Sequence, residues 1–203
     1  MADRKQAKKI DAAKQSASQV PDGLESAAYS EVTDALENNF DFSGGVIVVG
    51  SDFVKQLNSF TNDISGRLRV EPKFVGAVSS LVKRLPRIKE AIDQFQIGQG
   101  INVPAYRAAE TIISQEYENQ ILRSGLNANF IQPLRDLVYQ DALSGLTLRE
   151  AKSMIRDYIG TGADKSGKLG QYADQTAMQA VDAYAGIVNM KLIEQFGHDG
   201  LLM

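Results

Sequence analysis

The sequence predicts an all-α protein, elongated and predominantly helical, with at most one short β-strand or hairpin near residues 40–49. Three observations carry that prediction. Apolar residues recur at steps of three and four through most of the 203 residues, which lines them up on one face of a 3.6-residue helix. A single β-branched run, Val46 to Val49, interrupts the period. Gly and Pro punctuate the periodic stretches at intervals typical of helix lengths.

Taken in order, residues 1–20 read as a basic flexible arm, 21–143 as a helical body and 144–203 as a helical segment ending in a long helix. The arm holds Arg4, Lys5, Lys8, Lys9 and Lys14 against Asp3 and Asp11, a local charge of +3 in a chain of net −3, so the other residues carry −6. With only Ile10 and Val20 as larger apolar residues, the arm forms a helix only if something packs on it. It is either an anchor for DNA phosphate or an acidic surface, or a solvated tail.

Pro21-Asp22-Gly23 is turn chemistry, and Leu24, Ala28, Val32, Ala35 and Leu36 then stripe a helix over about 24–38. Val46 to Val49, with glycines on both sides, supply the short strand or hairpin. Ser51 is placed to cap a helix at about 52–68 carrying Phe53, Leu57, Phe60, Ile64 and Leu68, with Gly66 and Pro72 marking its end. Phe74, Val78, Leu81, Leu85, Ile88, Ile92 and Phe95 alternate steps of four and three, a coiled-coil-like seam used either inside one subunit or between subunits. Pro86 lies within it and predicts a kink or two abutting helices.

Pro104 opens a helix at about 104–123 that Gly125 stops. Another follows over Phe130 to Ala142, ended by Ser144-Gly145. Thr147-Leu148-Arg149-Glu150 is a capping box: Thr takes the first free N–H groups, and Glu three positions on reaches back to the Thr N–H. It starts a helix at about 148–159. The last helix runs from about 170 to 196, with Val181, Tyr184, Val188, Leu192 and Phe196 on one stripe.

Composition removes much chemistry. There is no cysteine, which excludes disulfides, thiol nucleophiles and cysteine-ligated metal sites, and the lone His198 cannot build a histidine-rich centre. No stretch approaches the roughly 18 apolar residues of a membrane span. A net charge of −3 is not that of a dedicated nucleic-acid binder, so any nucleic-acid contact must be local. Gly162, Gly167 and Lys168 fit the phosphate-loop spacing G-x-x-x-x-G-K, but Leu169 stands where Ser or Thr would bind Mg²⁺, and a helix, not a strand, feeds the loop. The pairs Glu116 with Glu118 and Asp136 with Asp141 read as solvated faces. No catalytic, metal or cofactor-binding residue is predicted; the protein is expected not to be an enzyme and to use no cofactor.

The runs SGLTLREAKSMIRDYIG and QYADQTAMQAVDAYAGIVNMKLIEQFGHDGLLM resemble the bacteriophage head-morphogenesis, or minor head, protein family over residues 144–203. Gly145, Leu146, Thr147 and Glu150 match the family's helix start, Arg156 its short arginine-bearing helix, Thr176 and Asn189 fall along its long helix, and Glu194, Gly197 and Asp199 match its closing phrase. Gln175-Thr176-Ala177 stands where many relatives carry Arg-Thr-Glu, and the family's later Cys/His segment does not follow, as expected of a shortened member or of part of a longer chain. The resemblance implies a non-enzymatic virion component at the portal vertex, oligomeric in the particle and present in the host cytoplasm during assembly. Its implied partners are portal or other virion proteins and packaged DNA. In that setting Arg4, Lys5, Lys8, Lys9 and Lys14 are the candidate nucleic-acid or acidic-surface contacts, and Leu81, Leu85, Ile88, Ile92, Tyr184 and Val188 the candidate protein contacts. The alternative is a cytosolic helical adaptor or regulator that dimerises through the 74–95 seam.

Overall fold

The computed structural model describes residues 8, 12, 23–98, 114–119, 124–160 and 167–196. Among them the chain is helical nearly throughout, with one two-stranded antiparallel hairpin, an all-α fold with a short β excursion. The elements are α1 (Leu24–Asn39), β1 (Phe42–Ser43), β2 (Val46–Ile47), α2 (Phe53–Val70), α3 (Pro72–Val82), α4 (Leu85–Gly98), α5 (Ser124–Leu126), a π-helical turn (Asn127–Ile131), α6 (Gln132–Leu143), α7 (Leu148–Ile159) and α8 (Lys168–Phe196), with residues 114–119 also helical. No helix among the described residues is long and apolar enough to cross a membrane.

The chain divides into two compact units, each assembled from separated segments: one from Met1–Gln19, Ser80–Glu118 and Asp174–Met203, the other from Val20–Ser79 and Asn119–Ala173. In the second unit α1 packs against α2 and α7, and α2 packs against α6 and the π turn. The buried face of α1 holds Leu24, Ala27, Ala28, Val32, Ala35 and Leu36, and its alanines let neighbouring backbones approach closely. On α2 the expected stripe Phe53, Leu57, Phe60, Ile64 and Leu68 is buried throughout. Phe40, just past α1, meets Phe53 and Phe60 at ring-centroid distances of 5.8 and 5.4 Å, and Phe53 stacks on Tyr139 of α6 at 6.0 Å. Burying one such ring contributes about 3 kcal/mol, so this cluster is a main fastening of α1 to α2. At the edge of the same contact, Arg67 bonds Asp63 at 2.8 Å and reaches Glu31 of α1 at 3.5 Å, while Asn39 donates to Asp63 at 2.9 Å.

Several boundaries differ from the sequence expectation, each for a local reason. The N-cap of α2 is Asp52 rather than Ser51; its side chain makes no capping bond, and the backbone closes the turn through Phe53 N–H to Gly50 O at 3.1 Å. Gly66 does not end α2, which runs to Val70. An exposed helical glycine costs about 1 kcal/mol, less than the burial of Ile64 and Leu68 on either side returns. Glu71, before Pro72, caps α3 by accepting from Phe74 N–H. The break at Pro86 is real: α3 stops at Val82, Arg84 N–H bonds Leu81 O at 3.0 Å, and Pro86 takes the second position of α4, where its missing N–H has no helical partner to lose. Gly125 is helical rather than a stop, because the chain from Ser124 runs through the π turn into α6. The other residues of the 104–123 helix, except 114–119, lie outside the described residues.

The π turn buries Phe130 and Ile131. The Tyr158 hydroxyl of α7 donates to Phe130 O at 3.0 Å, and the two rings sit 5.6 Å apart. Burial pushes the Tyr158 phenol up to about 12. α8 opens at Lys168, two residues earlier than the spacing predicts. Its start is set by glycines: Gly160, at φ +101°, ends α7 and lies so close to Gly167 that a Cβ on either would fall 2.0 to 2.3 Å from the other's backbone or from Ile159 O.

Candidate functional site

The site forms where the hairpin meets the start of α7. Gly44 and Gly45, at φ +59° and +81°, make the two-residue turn of a type I′ hairpin that pairs Phe42 with Ile47 and Ser43 with Val46. Glycine takes the positive φ of that turn at little cost. Val46 also bridges Thr147, and Leu148 N–H donates to Gly45 O at 2.7 Å, so the hairpin is fixed to the first residues of α7.

Thr147 is extended and completes the capping box: Glu150 N–H reaches Thr147 Oγ1 at 3.3 Å and Thr147 N–H reaches Glu150 Oε2 at 2.8 Å. These bonds hold the Glu150 carboxyl below its ordinary range. Ala151, Ile155 and Ile159 turn one face of α7 into the core, and this leaves Arg149, Ser153 and Arg156 exposed and Lys152 half-buried. With Tyr29 of α1 and the Gly44-Gly45 turn they line an open groove of about 810 Å³. Three cations and no carboxylate line it.

Two cations are held in place. The Arg156 guanidinium lies 5.2 Å from the centroid of the Tyr29 ring, with Nη2 3.4 Å from Tyr29 Oη. Lys152 pairs with Glu37 of α1, a contact between two partly exposed side chains. Such a pair is worth 0 to about 1 kcal/mol and exchanges readily. No group of three or more His, Asp or Glu among the described residues could hold a metal ion. Chemically the groove can bind an anion.

The residues singled out in the sequence lie elsewhere. Lys8 is exposed, and Arg4, Lys5, Lys9 and Lys14 fall outside the described residues. Leu81 is 2% exposed. Leu85, Ile88 and Ile92 lie on α4, and Val188 on α8, but their side chains are outside the described residues. Tyr184 is buried in the same unit as Leu81, and its hydroxyl donates to Asp93, which also pairs with Lys89. Gly167 and Lys168, from the phosphate-loop-like spacing, start α8, and the element before that segment is the helix α7, as expected. His198 is outside the described residues. Sequence reasoning passed over the groove cations, although the signal was there: Arg149, Lys152 and Arg156 stand at i, i+3 and i+7, the spacing of one helix face.

Fold and groove together describe a helical protein with a cationic cleft beside α7. Comparison with family models, with curated proteins and with solved structures finds no match.

Proposed function

We propose that this chain is a non-enzymatic structural protein of a bacteriophage particle, a minor head component that joins the portal vertex during capsid assembly or genome packaging. One observation carries the reading. The segment resembling that family is built in the implied order: a Gly-Leu-Thr-x-x-Glu start folded as a complete capping box, a short helix bearing Arg156, and the long helix α8 with Thr176 buried along it. Its partners in this reading are portal or other virion proteins, with packaged DNA reached by the basic arm, and it is oligomeric within the virion after assembly in the host cytoplasm.

Quantitative mass spectrometry of purified particles, together with co-expression alongside the portal protein, tests this. Peptides at a low fixed copy number per particle and co-purification with portal are the expected results. A protein abundant in the host lysate, absent from particles and indifferent to portal would overturn it.

A further inference from the structure

We draw no further inference here: the strongest candidate, the cationic groove between the Gly44-Gly45 turn and α7, carries nothing beyond the site already described, because nothing in the structure shows which anion occupies it.

Discussion

Replacing Gly160 with alanine should be among the most damaging single-methyl additions to this protein, and its cost can be separated into two parts. The first is conformational: φ of +101° is a backbone state that a Cβ disfavours by about 1–2 kcal/mol. The second is steric, because the new Cβ would lie 2.1 Å from Gly167 N and 2.3 Å from Gly167 Cα, both backbone atoms that yield only if α7 and α8 shift. Overpacking of that kind costs a further 1–3 kcal/mol or so, for a total of about 2–5 kcal/mol. Gly145→Ala isolates the first part, since Gly145 has φ +75° and open space around its Cβ position. Gly167→Ala isolates the second, through a Cβ 2.0 Å from Ile159 O. Urea unfolding followed by far-ultraviolet circular dichroism reads all three. At a slope of about 2 kcal/mol/M the midpoint drops by roughly 1–2.5 M for Gly160→Ala, but by only about 0.5–1 M for Gly145→Ala. Equal shifts for Gly160→Ala and Gly145→Ala, or a silent Gly167→Ala, would refute the argument that the two glycines are needed for mutual approach.

Two further outcomes follow from single hydrogen bonds. Thr147→Ala removes the α7 cap and should cost about 1 kcal/mol in the same unfolding assay. Because the Glu150 carboxyl is held low, the box contributes fully above the unfolded pKa and is lost as pH falls through the folded one, so the wild-type advantage should shrink on acidification. Tyr158→Phe loses the bond to Phe130 O and should cost about 1 kcal/mol at neutral pH. The raised Tyr158 phenol carries the opposite sign: its stabilisation is intact below about pH 10 and is lost as pH rises through about 12. A wild-type protein and a Phe variant that lose stability in parallel over that range would contradict it.

What the sequence disclosed was mostly local. The capping box was legible because Thr147 and Glu150 meet across three residues, and the Pro86 break because proline acts on its own turn. Gly66 and Gly125 misled for the converse reason: each is a weak local signal outvoted by buried neighbours such as Ile64, Leu68 and Leu126. The groove was half legible. The spacing of Arg149, Lys152 and Arg156 lies in the sequence, but a row of cations on a helix is ordinarily a solvated face. What makes it a cleft is the Gly44-Gly45 turn and Tyr29, brought from the other end of the unit by pairings such as Val46 with Thr147 that no local pattern announces. The approach of Gly160 to Gly167 was equally silent, since it depends on how two helices meet.

The contacts that join α1 to the later segment span 127 residues between Tyr29 and Arg156 and 142 between Glu25 and Gly167. On the ribosome, at about 5–20 residues per second, α1 therefore emerges many seconds before α7 exists to cover it. Throughout that interval the leucine and alanine face of α1 lacks its packing against α7, and a nascent chain stopped before Ile159 cannot complete that contact. The yield of folded protein is therefore expected to depend on synthesis rate and on holdase chaperones as well as on native stability.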